Sequence, residues 1–142
     1  TTHHSMTITF TTHHSITISK MMGSYEKLNG NFARVPFRAL TGNQPIEFMW
    51  NRSNKIAKPW HSENKPTHGI PELDEDELWR VFKGCIENNM IIAAGSTGSH
   101  GTNSKGIVGG HMYSVLNVCT TNSGNVKLVQ MRNPWGEFEW KG

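Results

Sequence analysis

The stretch that decides the fold runs from Gly110-His111-Met112-Tyr113-Ser114-Val115 to Arg132-Asn133-Pro134-Trp135. Residues 111–118 and 126–132 both have the residue content of β-strands. The segment between them, Thr120-Thr121-Asn122-Ser123-Gly124-Asn125, is rich in residues that favour turns. The two strands are therefore predicted to form a β-hairpin.

The spacing of this hairpin predicts a contact between a histidine and an asparagine. The midpoint of positions 111 and 133 is 122, which lies inside the turn. A symmetric antiparallel pairing puts His111 opposite Asn133 on the same face, with Cβ atoms ~5 Å apart. That separation suits an imidazole N–H that donates to the Asn133 side-chain oxygen. A slip of one residue, which a β-bulge could cause, would put the two side chains on opposite faces.

Such a pair has a specific use in thiol chemistry. A cysteine nucleophile acts as the thiolate, and a nearby charged imidazole lowers its pKa. An asparagine amide can hold the imidazole in one tautomer without adding a charge, and Trp135 could cover that hydrogen bond. The pattern indicates the His/Asn portion of a cysteine peptidase site. Each residue alone also fits an ordinary role, His111 as a satisfied polar residue and Trp135 as a core side chain.

Bulk properties set limits on the class of protein. The 142 residues allow one domain with a modest core, and the net charge of +3 comes from scattered basic residues. No nucleic-acid surface is therefore expected. Cys85 and Cys119 form neither a disulfide scaffold nor a CxxC metal motif, and no membrane span or signal peptide is recognisable. A cytoplasmic setting is the prediction.

The remaining pattern predicts an α+β fold. Residues 72–89 are predicted to be a helix with acidic residues at its start, and one apolar face recurs at helical spacing. That face consists of Leu78, Val81, Phe82, Cys85 and Ile86. Short strands are expected at 46–50 and 90–94, and an irregular stretch at 51–71 because of its prolines and glycine. Residues 95–110 are predicted to be a surface loop beside the site.

The first twenty residues contain a repeat. Thr1-Thr2-His3-His4-Ser5-Met6-Thr7-Ile8 recurs as Thr11-Thr12-His13-His14-Ser15-Ile16-Thr17-Ile18. Residues 1–22 are predicted to be a disordered region, although the Thr/Ile alternation also fits a marginal strand or hairpin. Paired histidines can chelate zinc or nickel, so a metal-binding peptide is a further interpretation. No cysteine or acidic residue accompanies them within the repeat.

The site motifs resemble a known family. Gly110–Val115, followed by Met131-Arg132-Asn133-Pro134-Trp135-Gly136-Glu137-Phe138-Glu139-Trp140, is similar to the second half of the calpain protease core. Upstream, Tyr25-Glu26-Lys27-Leu28-Asn29-Gly30 resembles the calpain Tyr-x-Lys-Leu-x-Gly segment, and Leu40-Thr41-Gly42 resembles its Phe-Thr-Gly. The resemblance covers residues 23–142 and implies a papain-like half-domain, a mainly antiparallel sheet with a few packed helices. It also implies a calcium-dependent cysteine endopeptidase that acts on proteins.

The resemblance also implies roles for individual residues. His111 would be the general acid/base, Asn133 its orienting partner, and Trp135 the tryptophan packed near the cleft between the two core halves. Glu139 falls where calpains carry one acidic calcium ligand, and the other ligands would lie beyond Gly142. One carboxylate cannot supply the 6–8 oxygen ligands that calcium takes. An incomplete calcium site is therefore expected in this chain.

The nucleophile is the main departure from the family pattern. Calpains carry it in a Gln-Gly-x-x-Gly-Asp-Cys-Trp stretch, and nothing in residues 1–22 resembles that stretch. Cys85 sits among helix core positions, and Cys119 would lie ~25 Å from His111 along the strand. We therefore expect a partial chain that lacks the nucleophile, is inactive alone and needs the N-terminal half of the core as its partner. The alternative is a non-catalytic calpain-like module that binds or regulates proteins.

Overall fold

The computed structural model describes residues 4–9, 33–60, 69–98, 101–102, 106–121, 123–124 and 126–134. These residues form six strands and two helices. In chain order they are β1 (His4–Thr9), α1 (Arg34–Thr41), β2 (Ile46–Asn51), β3 (Ile56–Pro59), α2 (Glu75–Glu87), β4 (Ile91–Ser96), β5 (Met112–Thr120) and β6 (Lys127–Arg132). No helix in these ranges is both long enough and apolar enough to span a bilayer.

All six strands belong to one sheet, in the order β3-β2-β1-β4-β5-β6. Every pair of neighbouring strands in that sheet is antiparallel. The prediction of an α+β fold with a mainly antiparallel sheet and a few packed helices is confirmed. The strands expected around 46–50, 90–94, 111–118 and 126–132 are all present, with bounds that differ by a few residues.

The centre of the sheet comes from the N-terminal repeat. His4–Thr9 forms β1, which pairs with β2 on one side and β4 on the other; Ser5, for example, is opposite both Met49 and Gly95. The sequence predicts a disordered region over residues 1–22, and for these six residues the structure has a strand instead. Two neighbouring strands satisfy the backbone hydrogen bonds of β1 on both sides, which local sequence does not reveal. The other residues of the repeat lie outside the described ranges, and the boundary between residues 22 and 23 stays a prediction.

The predicted helix is α2, and its start is fixed by a capping box. The Glu77 N–H donates to Asp74 Oδ1 at 2.8 Å, and the Asp74 N–H donates to Glu77 Oε2 at 2.9 Å. These reciprocal bonds satisfy N–H groups that have no partner within a helix. Asp74 is therefore the N-cap of α2. At the other end Asn89 takes a positive φ of 52°, and the Met90 N–H donates to the Cys85 carbonyl at 2.8 Å.

The core lies between α2 and one face of the sheet. The apolar positions of α2 pack against side chains from four strands, and the buried members are Phe48, Ala57, Leu73, Cys85, Ile92 and Val115. Ile92 is only 1% exposed. The assignment of Cys85 to the core is confirmed. Burial raises the pKa of the Cys85 thiol, because the thiolate would lose its hydration.

Strand β3 lies within the stretch predicted to be irregular, and for these four residues that prediction is wrong. Ile56–Pro59 pairs with β2 at the edge of the sheet, where Pro59 needs no N–H for a further neighbour. Ala57 and Leu73 also exchange two backbone hydrogen bonds, at 2.8 and 2.9 Å. The sequence does not predict this strand because four residues are too few to show an alternating pattern, and the last of them is a proline.

The opposite edge strand, β6, is tied to the first turn of α2 by charge. Lys127 Nζ lies 2.5 Å from Asp76 Oδ1 and 3.7 Å from Glu75 Oε1. The hydrogen bond with Lys127 lowers the pKa of Asp76, and the same bond raises the pKa of Lys127. Because this contact is exposed, it adds little stability.

Candidate active site

The structure brings the two predicted polar side chains together. His111 directly precedes β5 and Asn133 directly follows β6, so both lie at the open end of the hairpin. The imidazole Nε2 of His111 is 2.8 Å from Asn133 Oδ1, and both residues are half-buried. The contact predicted from the spacing of these residues is therefore present.

The strand register that produces this contact differs from the symmetric one. Near the turn, Thr120 is opposite Lys127 and Val118 is opposite Val129. Beyond Leu116 the pairing shifts by one residue, so that Val115 is opposite Met131. Leu116 is thus the extra residue of a β-bulge, and its side chain is exposed.

The bulge determines which face Asn133 shares with His111. In the shifted register Ser114 is opposite Arg132, which extends to Tyr113 opposite Asn133. His111 lies two residues before Tyr113, so its side chain points to the same face as those of Tyr113 and Asn133. If the register near the turn continued without the bulge, Asn133 would point to the other face. A one-residue slip from the symmetric pairing is expected to put His111 and Asn133 on opposite faces, whereas the observed bulge puts them on the same face.

The hydrogen bond also specifies the state of the imidazole. An amide oxygen only accepts, so with Oδ1 as its partner Nε2 carries the hydrogen in the neutral ring. Nδ1 is then the basic nitrogen. A ring held in this tautomer can take a proton at Nδ1 while the Asn133 bond stays in place. This is the state that a general base requires.

Two neighbours of His111 were not recognised as site residues in the sequence. Ser96, the last residue of β4, contacts the main chain of His111 through its hydroxyl. Tyr113 places its ring edge-on to the imidazole, with centroids 4.9 Å apart and an interplanar angle of 87°. The alternation of β5 could have shown that Tyr113 shares a face with His111. Ser96 gave no signal, because it stands in a run of small polar residues that resembles a loop.

The other predicted site residues are not in the described part of the chain. Trp135 and Glu139 fall in residues 135–142, which lie outside it. The described ranges contain no group of three or more His, Cys, Asp or Glu side chains that could hold a metal ion. Of the paired histidines in the repeat, His3, His13 and His14 also lie outside the described ranges.

Neither cysteine of the sequence lies near the imidazole. Cys85 is buried in α2, and Cys119 is exposed near the turn of the hairpin. Cys119 is eight positions along the chain from His111, or ~26 Å at about 3.3 Å per residue. The structure places no thiol from these two residues against His111.

Comparison with known proteins identifies the family of this chain. The family described as calpain family cysteine protease matches residues 10–142. The chain is 28% identical to mouse calpain-9 and 30% identical to the human calpain-2 catalytic subunit, over 121 residues each. It is 32% identical over 127 residues to the rice calpain-type cysteine protease ADL1.

These relatives are much longer than the chain. The matches cover 84% of the chain but only 16% of calpain-9 and of the calpain-2 catalytic subunit. For the rice protein they cover 87% of the chain and 5% of the relative. No solved structure matches significantly. Since the family match spans nearly the whole sequence and includes both His111 and Asn133, the chain belongs to the calpain family of cysteine proteases.

Proposed function

We propose that this chain carries the His/Asn portion of a calpain-type cysteine endopeptidase that cleaves proteins. In this proposal His111 is the general acid/base and Asn133 is the residue that orients it. The observation that carries the proposal is the 2.8 Å hydrogen bond between His111 Nε2 and Asn133 Oδ1. Membership in the calpain family supplies the reaction class.

The proposed reaction starts at Nδ1 of His111. This nitrogen takes the proton of a cysteine thiol, and the thiolate attacks the carbonyl carbon of a peptide bond. The imidazolium then returns the proton to the leaving amine as the C–N bond breaks, which leaves an acyl-thioester. Water, activated by the same imidazole, hydrolyses the thioester and regenerates the thiol. Throughout, Asn133 Oδ1 accepts a hydrogen bond from the Nε2–H group and holds the ring without adding a charge.

The thiol in this proposal comes from outside the 142 residues. Cys85 is buried with a raised pKa, and Cys119 lies at the far end of β5. The proposed partner is the N-terminal half of the protease core, and the chain alone is expected to be inactive. The resemblance to calpains gives Trp135 a supporting role beside these two residues, and we propose that it covers the His111–Asn133 bond. Glu139 would be a calcium ligand only together with ligands from elsewhere, and calcium dependence is a proposal for the longer protein. The two free cysteines suit a cytoplasmic setting.

A non-catalytic calpain-like module is the second candidate. The absence of a nucleophile beside His111 among the two cysteines of this sequence favours it. In that case the fold would serve to bind or regulate other proteins. The two candidates differ in what the segment that completes the core contributes, a cysteine or another residue.

The test uses the protein translated from the complete coding region that contains these residues. Its hydrolysis of a fluorogenic casein is measured in the presence and absence of calcium. His111→Ala is expected to lower kcat/KM by ~10²–10⁴-fold, the usual contribution of a general acid/base. Asn133→Ala is expected to lower it by about 5–150-fold, because a lost hydrogen bond to a half-buried group costs about 1–3 kcal/mol.

Asn43→Ala is the matched control, since Asn43 is an exposed asparagine in a loop away from the hairpin. It should leave kcat/KM unchanged. A complete protein that is folded but hydrolyses nothing, or whose activity survives His111→Ala, would contradict the catalytic proposal and favour the binding module.

A further inference from the structure

The last residue of β4 makes an unusual link to His111. Ser96 is opposite His111 in the extended β4–β5 register, next to the Gly95–Met112 pair. The Ser96 N–H donates to the His111 carbonyl at 2.9 Å, as in a regular antiparallel pair. The return bond is different, because the His111 N–H donates to the Ser96 side-chain Oγ at 3.2 Å rather than to a carbonyl. A side-chain hydroxyl oxygen thus replaces a backbone carbonyl as the acceptor for the His111 N–H.

The same hydroxyl reaches the segment ahead of His111. Ser96 Oγ contacts the Val108 carbonyl closely, and the His111 carbonyl lies farther away at 3.2 Å. A serine has one hydroxyl hydrogen, so the closer Val108 oxygen is its acceptor. Ser96 Oγ therefore accepts from the His111 N–H and donates to Val108, which joins β4, Val108 and His111 at one atom.

Val108 is held from the other side by Tyr113. The Val108 N–H donates to the Tyr113 hydroxyl at 2.9 Å, and the ring of Tyr113, only 8% exposed, packs edge-on against the imidazole. The peptide groups of Val108 are thus fixed by two side chains that also contact His111. Segment 108–110 and the imidazole are parts of one hydrogen-bonded unit.

We propose that Ser96 is a positioning residue for His111, a role that rests on the proposed function of His111. Its hydroxyl fixes the main chain on which the imidazole is mounted, so that Nε2 meets Asn133 Oδ1 and Nδ1 keeps one orientation. Ser96 does not touch the reacting atoms. Its contribution is to restrict the rotation of the ring before a thiol approaches, which reduces the entropy lost in reaching the reactive geometry.

The experiment follows the imidazole directly by NMR on the uniformly ¹⁵N-labelled chain. Long-range ¹H–¹⁵N correlation identifies the tautomer of His111, and the assignment comes from the signal that disappears in His111→Gln. The unaltered chain is expected to show one tautomer, with hydrogen on Nε2. Ser96→Val is expected to exchange that hydrogen at least tenfold faster or to populate both tautomers. Threonine has nearly the same shape as valine but keeps a hydroxyl, so Ser96→Thr should retain the original signal.

Ser114→Ala removes an exposed hydroxyl from neighbouring β5 and is the matched control that should change nothing. If Ser96→Val retains the tautomer and exchange rate of the unaltered chain, the positioning role is rejected. If Ser96→Val does not fold, Tyr113→Phe tests the unit from the other side. It releases the Val108 N–H, and faster Nε2–H exchange would support the proposal while unchanged exchange would overturn it.

This readout needs no hydrolysis, so it separates the two proposals. A protein whose imidazole depends on Ser96 but whose complete form is inactive keeps the positioning inference and loses the peptidase. If the complete protein is active but Ser96→Val leaves the His111 tautomer and exchange rate unchanged, the peptidase proposal is kept and the positioning inference is rejected.

Discussion

Deletion of Leu116 tests the role of the β-bulge most directly. Removal of one residue from a strand normally moves the residues on one side of the deletion to the opposite face of the sheet. Leu116 is the extra residue between the Val115–Met131 and Asn117–Gln130 pairs. Its deletion should therefore leave both pairs in register and straighten β5. We expect the His111–Asn133 hydrogen bond to survive this deletion.

Deletion of Ser114 from the chain that already lacks Leu116 is the matched comparison, because it also removes one exposed residue from β5 and no bulge remains there to absorb the loss. Here the residues before position 114 must shift by one. His111 then takes the place of Met112 and points to the other face, where its ring cannot reach Asn133. Tyr113, 8% exposed in the structure, is moved out of its buried position at the same time.

The two deletions should differ strongly in stability. Loss of Leu116 removes an exposed side chain and an unpaired residue, so the free energy of unfolding should change by less than about 1 kcal/mol. Removing a large aromatic side chain from a buried site costs about 3–5 kcal/mol, and loss of the hydrogen bond adds about 1 kcal/mol. Deletion of Ser114 should therefore destabilise the chain by at least about 3 kcal/mol.

The assay combines urea unfolding with the ¹H–¹⁵N correlation of His111. Retention of the Nε2–H signal is expected without Leu116, and its loss is expected without Ser114. Loss of the signal in a folded chain without Leu116, or its retention after deletion of Ser114, would show that the bulge does not set the face that Asn133 shares with His111.

Three further predictions concern the helix, the thiols and the pH dependence. Asp74→Ala removes the capping box of α2 and should lower the free energy of unfolding by about 1 kcal/mol in urea titrations; no change would mean that the cap is not formed in solution. At pH 8 iodoacetamide should alkylate exposed Cys119 first and Cys85 slowly, since burial raises the pKa of the Cys85 thiol, and equal rates measured by mass spectrometry would contradict this burial. The lowered pKa of Asp76 means that its pairing with Lys127 stabilises the fold above the unfolded value of 3.8 and is lost as the pH falls through the folded value. The raised pKa of Lys127 means that the same contribution is present below pH 10.5 and is lost as the pH rises through the folded value. Lys127→Gln should therefore make the urea unfolding midpoint depend less on pH in both the acidic and the alkaline range. An unchanged pH profile would count against the pairing.

The parts of the fold that follow from local pattern were predictable. The apolar period of α2 and the acidic residues before it are properties of a single segment. The hairpin of β5 and β6 is also local, because a turn of strong turn formers joins its strands. For this reason the contact between His111 and Asn133 could be derived from spacing alone, and only the register was wrong. That register depends on the β-bulge at Leu116, which the alternation of residues does not encode.

The parts that the sequence did not reveal are stabilised by distant partners. Strand β1 lies between β2 and β4, and its neighbours are about 40 and 90 positions away in the chain. Strand β3 exists because β2 and the Ala57–Leu73 bridge pair with both sides of it. Such segments have weak propensity of their own, and the long-range hydrogen bonds decide their structure.

The site gains its polar framework in the same way. Ser96 and His111 are 15 residues apart, separated by a run of glycine, serine and threonine that has no period. Only the pairing of β4 with β5 shows that the hydroxyl faces the main chain of His111. A sequence motif identifies the residues that would do the chemistry, whereas the residues that hold them are identified by the sheet.

The location of these contacts has a consequence for the proposed enzyme. Ser96 and Tyr113 contact His111 from β4 and β5, and Asn133, which directly follows β6, contacts its imidazole, so this one sheet already orients the ring. In the proposed enzyme, assembly of the two halves brings the thiol to this oriented imidazole. A site divided in this way can be inactive and yet already ordered, because the entropy of orienting the imidazole is lost when this sheet folds rather than when the thiol arrives.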